Sequence, residues 1–139
     1  MTKKKGKIFT FEDLKVYIMA REFSRKISKL IKKLPEEEEY NLKHQMRKAK
    51  LSVTNNIAEG YGRYHYQENI QFCRMSRGSI CEIIDDINEC YDEGYIDENY
   101  RDDLKRDAYE LIRVLNGYIA SNKRQKDKQK SSFKNEIIT

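Results

Sequence analysis

The sequence has no tryptophan, one proline, six glycines and no long apolar run. No stretch approaches the roughly 20 apolar residues that span a bilayer, and the lysine-rich start lacks the apolar centre of a signal peptide. No membrane association is expected, and the expected location is the cytoplasm. With Pro35 as the one proline, helices can run long without a breaker. Cysteine is sparse and odd in number: Cys73, Cys81 and Cys90 are spaced by eight and nine residues. That spacing suits neither a small disulfide framework nor the close pairs of a zinc site, so buried or half-buried reduced thiols are expected. There are two histidines, His44 and His65, and neither has a glutamate three residues before it, which excludes the usual di-iron bundle chemistry. No phosphate-cradling glycine loop, no His-x-x-x-His pair and no Ser or Cys beside a credible His base occurs. The chain reads as a non-enzyme, with no catalytic residue, metal ligand, cofactor or small-molecule substrate expected.

What is present is helical periodicity. At 139 residues the chain has room for one cored domain, and 38% hydrophobic beside 37% charged residues suits a bundle that buries narrow stripes and exposes wide charged faces. A first helix is predicted from about Glu12 to Leu34, because Val16, Ala20, Phe23, Ile27, Leu30 and Leu34 alternate steps of four and three. Pro35 and the run Glu36 to Glu39 stop it and place negative charge at the start of the next helix, where the dipole favours it. A second helix is predicted over about Glu37 to Tyr61, with Leu42, Met46, Ala49, Val53 and Ile57 inside and Gly60 and Gly62 ending it. A third, Tyr66 to Asp92, is carried by Ile70, Cys73, Ile80, Ile83, Ile84, Ile87 and Tyr91, with Gly78 allowing a close helix contact and Gly94 as its stop. A fourth, about Asp97 to Ser121, takes Asp97 as cap and buries Tyr100, Leu104, Ala108, Leu111, Leu115 and Ile119. The expected architecture is an all-α, up-down-up-down four-helix bundle over residues 8–121. It is flanked by a basic arm, 1–7, and a basic mobile tail, 122–139, in which Ile137 and Ile138 are the residues able to dock.

The inner side of the second helix carries an unusual stripe. Gln45, Ala49, Ser52, Asn56, Glu59 and Gly60 recur at helical steps, putting small and polar groups where a helix ordinarily buries hydrocarbon. As a structural device, Gln45, Ser52 and Asn56 would hydrogen-bond across the core to Ser79 and Glu82, fixing register, with Glu59 completing the network. As a functional device, the same groups would line a pocket with Glu59 and Glu82 as acid and base. The structural reading is the stronger, because no second feature of a reaction centre accompanies them.

The run Ser52-Val53-Thr54-Asn55-Asn56-Ile57-Ala58-Glu59-Gly60 is flanked by Glu39-Tyr40-Asn41-Leu42 upstream and by Gly78-Ser79, Glu82 and Gly94-Tyr95-Ile96 downstream. Together these resemble the proteins encoded in intervening sequences of bacterial 23S rRNA genes, and also the accessory variability determinant of diversity-generating retroelements. The resemblance extends over roughly residues 9 to 119. It implies a four-helix bundle, a homopentamer, and, for members encoded in retroelements, a reverse transcriptase as partner. Asn41 departs from the glycine usual before Leu42, Lys50 from a small residue and Ser76 from a common alanine. The first two put in question whether the second helix makes the same neighbour contacts.

Charge is the clue to partners that the residues themselves provide. The formal net charge is +5, each terminus contributes +4, and the body from Ile8 to Ser121 therefore carries −3. Within the body the first two helices are basic and the last two acidic. Arg21, Arg25, Lys29 and Lys32 share a face of the first helix, Lys43, Arg47 and Lys50 share one of the second, and Arg63 follows at its end. Basic stripes with basic tails are the footprint of a phosphate-backbone binder, and the family resemblance added to it makes structured RNA or an RNA–DNA intermediate the expected partner. Tyr61, Tyr64 and Tyr66, interleaved with Arg63 and His65, would stack on unpaired bases, although tyrosines at a helix corner more often pack. The alternative is a protein-interaction scaffold that binds no nucleic acid, in which a basic face meets an acidic face of the next subunit to close a ring.

Overall fold

A computed structural model describes residues 8–138, with side chains through Glu136. The expected basic arm, 1–7, lies outside the described residues. Among them, four α-helices account for the fold: α1 Lys15–Lys33, α2 Leu42–Gly62, α3 Tyr66–Asp92 and α4 Glu98–Ile138. Each packs on its two neighbours in a closed cycle, α1 on α2 and α4, and α3 on α2 and α4, with α2 against α3 as the most extensive contact. That adjacency is the expected up-down-up-down bundle. No described helix is long and apolar enough to cross a membrane.

The predicted seams form the core. Val16, Ala20, Phe23, Ile27, Leu30 and Leu34 of the first seam are all buried, as are Met46, Val53 and Ile57 of α2, Ile80, Ile83 and Ile87 of α3, and Leu104, Leu111 and Leu115 of α4. Each fully buried Ile or Leu contributes about 1.5–3 kcal/mol over its exposed state, so the seams outweigh any surface pairing.

Boundaries differ from expectation for local reasons. Before α1, Thr10 forms a reciprocal cap around a 3-10 turn, Phe11–Asp13, its amide donating to Asp13 Oδ2 at 2.9 Å. Extended Leu14 then separates this turn from α1, so the helix begins at Lys15 and not at Glu12. The run after Pro35 likewise forms a 3-10 turn, Glu36–Glu38, and Asn41, whose φ and ψ of −113° and −102° are not helical, delays α2 to Leu42. Gly60 lies inside α2 and Gly62 is its last residue, as expected of the helix end; the residue that reverses the chain is Tyr64, at φ +55°. Gly94, at φ +79°, does end α3, with Tyr95 N–H donating to Cys90 O and Gly94 N–H to Tyr91 O, each at 2.9 Å. Asp97 caps α4 as expected, accepting from Tyr100 N–H at 2.8 Å.

The largest difference is at the C-terminus. α4 continues through the expected end at Ser121 to Ile138 and is 41 residues long, about 60 Å at 1.5 Å per residue. Polarity removes a segment from the core but does not stop a helix. Residues 118–138 contain no glycine or proline and are rich in Lys, Arg and Gln, which are strong helix formers.

Candidate nucleic-acid interface

The four cations of α1 lie half a turn away from the Ile27 seam. Arg21, Arg25, Lys29 and Lys32 are exposed, and none has an ion-pair partner among the described residues. Arg21 and Arg25 border a shallow hollow with Glu12, Tyr17, Ile18 and Glu22. The α2 cations are placed differently. Arg47 grips Glu39, Nη1 to Oε1 at 3.0 Å, and Lys43 stands 3.6 Å from the same carboxylate, while Lys50 is half-buried. The hydrogen bond from Arg47 holds the Glu39 carboxyl below the ordinary range. Arg63 donates to Glu59 at 2.8 Å, stands 4.0 Å from Glu68 and lies 5.1 Å over the Phe72 ring. The eight cations thus fall into an unpaired set on α1 and a mostly paired set on α2. The Arg47–Glu39 and Arg63–Glu59 pairs are exposed and worth only about 0–1 kcal/mol, so a phosphate can displace them.

The polar stripe of α2 is narrower than its spacing suggests. Ser52 and Ser79 join α2 to α3 with Oγ atoms 2.8 Å apart, as expected. Asn56 does not reach across; its Nδ2 donates to Ser52 O at 2.8 Å and Ser52 Oγ at 2.9 Å on its own helix. Gln45 and Glu82 are exposed and join no network among the described residues, and Glu59 is taken by Arg63. All three are exposed, whereas Ser52 and Ser79 are part-buried where they meet. An acid–base pocket of Glu59 and Glu82 is not built. Gly78 has open space around it, so the close approach is at Gly60 instead, where an added Cβ would lie 2.7 Å from Asn69 Oδ1 and 3.0 Å from Phe72 Cβ.

Several polar residues that periodicity passed over are the buried ones. Ser76 donates to Val53 O at 2.8 Å, closing the α2–α3 contact. Asn69 donates to Tyr118 Oη at 2.9 Å and Asn122 Oδ1 at 3.2 Å, tying α3 to α4 where α4 leaves the core. Asp86 is 6% exposed and its Oδ2 has no hydrogen-bond partner among the described residues. Burial, and then the neighbouring Glu82, Asp85 and Glu89, push its pKa up to about 6. Cys73 and Cys90 are buried thiols pushed up to about 12 by burial, whereas Cys81 is exposed. Among the described residues no group of three or more His, Cys, Asp and Glu side chains could hold a metal ion.

Charge is divided along the bundle axis as well as between helices. Both acidic turns lie at one end: Tyr95 Oη donates to Glu38 Oε2 at 2.9 Å, which raises the Tyr95 pKa to about 12 and joins the α1–α2 connection to the α3–α4 connection. Ten acidic residues and one arginine lie between positions 82 and 103. The opposite end receives the tyrosine corner and the extension of α4. There Tyr64 is 87% exposed, and Tyr61 lies 6.3 Å from it, centroid to centroid. Six basic and two acidic residues lie between 122 and 138, and Lys126, Lys130, Phe133 and Lys134 face His65, Tyr66 and Gln67 across a groove. No curated protein matches the chain by sequence. The profile of the 23S rRNA-intervening sequence protein family matches residues 12–117, which include all of α1, α2 and α3, and the chain belongs to that family.

Proposed function

We propose that the protein is a cytoplasmic, non-enzymatic binding module, assembled as a homopentamer, that holds structured RNA or an RNA–DNA intermediate by its phosphates. The observation that carries this reading is the α1 face, where Arg21, Arg25, Lys29 and Lys32 stand exposed with no carboxylate neutralising them among the described residues. Such a row makes no ion pair among the described residues, and releasing counterions from phosphate is what it is suited to. The family description, an rRNA-intervening sequence protein, is in keeping with an RNA partner. Lys43, Arg47, Lys50 and Arg63 are secondary contacts in this reading, since most must first leave a carboxylate.

The test is fluorescence anisotropy with structured RNA, duplex DNA and heparin at about 50 and 200 mM salt, where several phosphate contacts cost orders of magnitude. RNA affinity that exceeds heparin affinity and falls in Arg21→Glu/Arg25→Glu supports the reading; an unchanged affinity and salt slope in that variant removes α1 from it. Light scattering of the purified chain checks the pentamer. The alternative is a protein-interaction scaffold, for example an accessory subunit to a reverse transcriptase. Its favouring observation is apolar exposure beside the cations, with Ile18 49% exposed between Tyr17 and Arg21. A ring that survives high salt and ignores RNA at low salt would decide for it.

A further inference from the structure

The groove between the start of α3 and the extension of α4 has a volume of about 510 Å³. One wall is polar helix with a specific pattern: Lys126, Lys130 and Lys134 recur every four residues, an axial step of about 6 Å. That step is comparable to the distance between neighbouring phosphates on an extended strand. Lys126 Nζ donates to Gln67 Oε1 at 2.8 Å, fixing the extension against α3 and leaving one wall of the groove anchored. Lys130 and Lys134 make no ion pair among the described residues.

Phe133 sits among these lysines and is 63% exposed, although nothing in the bundle core calls for an aromatic ring there. Opposite it, at the first turn of α3, Tyr66 offers a second ring that is only half-buried. Cations alternating with accessible rings are the combination that holds a single strand, phosphates on the cations and bases on the rings. A duplex keeps its bases stacked inside and leaves an exposed ring unused. An acidic protein segment would use the lysines but gain little from the rings.

We propose that this groove binds an unpaired stretch of nucleic acid, with phosphates on Lys126, Lys130 and Lys134 and a base stacked on Phe133. This rests on the nucleic-acid reading above, and assigns unpaired nucleotides to the α3–α4 groove while the α1 face takes structured RNA. Unpaired RNA is the source argued for; single-stranded DNA with the same phosphates and rings is the control arm.

The test uses the full chain, a labelled single-stranded RNA of about a dozen nucleotides, the matching single-stranded DNA and a blunt RNA hairpin. Three variants are compared: Lys130→Ala/Lys134→Ala, Phe133→Ala and Arg21→Glu/Arg25→Glu. All lie on exposed helix, and circular dichroism should confirm unchanged helicity. The lysine variant should lose about 10-fold or more in single-strand affinity at low salt, with the salt slope reduced by about 1.4, the contribution of two phosphates on a single strand. Phe133→Ala should lose about 5-fold or more with its slope unchanged. Hairpin affinity should be unaffected in both groove variants. Single-strand affinity that is unchanged in both, yet lost in the α1 variant, overturns the groove and leaves the wider reading intact. No RNA binding by the unaltered chain at low salt overturns both. If polyglutamate and heparin bind as tightly as the single strand and Phe133→Ala is silent, the groove is a site for acidic protein segments and the proposal fails.

Discussion

The two ends of this bundle are made by the same four helices and finished in opposite ways. At the turn end the chain reverses twice in tight, hydrogen-bonded connections, with Gly94 in the left-handed conformation and Tyr95 bonded to Glu38. Acidic residues crowd there, offset in part by Lys43, Arg47 and Arg101, and Arg101 is drawn 4.1 Å over the Tyr91 ring as well as onto Asp102. At the open end the single reversal passes through Tyr64, a tyrosine at φ +55° where glycine is the residue at ease, and α4 continues past the core. Most cations of the α4 extension make no ion pair among the described residues, although Lys126 is bonded to Gln67. One end presents a surplus of carboxylates, and the other a surplus of cations. A cationic surface left unneutralised after folding suits phosphates, which is why the open end and the α1 face, and not the acidic end, carry the functional reading.

The sharpest way to break this comparison is to reverse charges at each end in turn. Lys130→Glu/Lys134→Glu should lower single-stranded RNA affinity by on the order of 100-fold at low salt, while Asp102→Lys/Asp103→Lys should change it by less than about 3-fold. Effects of equal size and opposite sign in anisotropy titrations of the two variants would show that only net charge matters.

Next in size is the buried carboxylate of the turn end. Asp86 has a folded pKa of about 6 against an ordinary 3.8, so the ionised form costs about 3 kcal/mol. Between those two values the folded state holds more protons than the unfolded one, and the cost is absent below about pH 4 and fully present above about pH 6. Asp86→Asn should therefore stabilise the protein at pH 8, with the gain shrinking as pH falls through 6 and gone near pH 4, by urea unfolding at each pH. A gain independent of pH would mean that folding does not shift the Asp86 pKa.

At the open end, Gly60→Ala should destabilise by about 1–3 kcal/mol in urea unfolding, because its Cβ would press on Asn69 and Phe72. The comparison residue Gly78 has nothing within 4 Å of an added Cβ, so Gly78→Ala should stabilise by up to about 1 kcal/mol through helix propensity. The smallest effect is expected at the tie between the turns, where Tyr95→Phe should cost about 1 kcal/mol and leave RNA affinity unchanged.

Most of the architecture was legible from spacing. The steps of four and three from Val16 to Leu34, and the corresponding steps in the other three helices, identify the buried faces because a helix must return its apolar side chains to one stripe. Three partner choices on the polar stripe were not legible. Spacing places Gln45, Asn56 and Glu82 on a face, but whether a side chain reaches a partner depends on the depth at which two helices meet. Ser52 and Ser79 meet in the contact, whereas Asn56 turns back to Ser52 and the other two remain in water. The same limit hid the groove. The tyrosine corner and the basic terminus each stood out in the sequence, but they are about 60 positions apart and only a helix that continues past Ser121 brings Lys126 against Gln67.

The sequence by itself determined the number of helices, their buried seams and the surplus of positive charge on the first two and at both termini, since these follow from local periodicity and composition. The tertiary structure decided which cations are neutralised, which polar groups are buried and what stands beside the last turns of α4. Those depend on distances between residues far apart in the chain, which are set by how the helices pack and where each one stops.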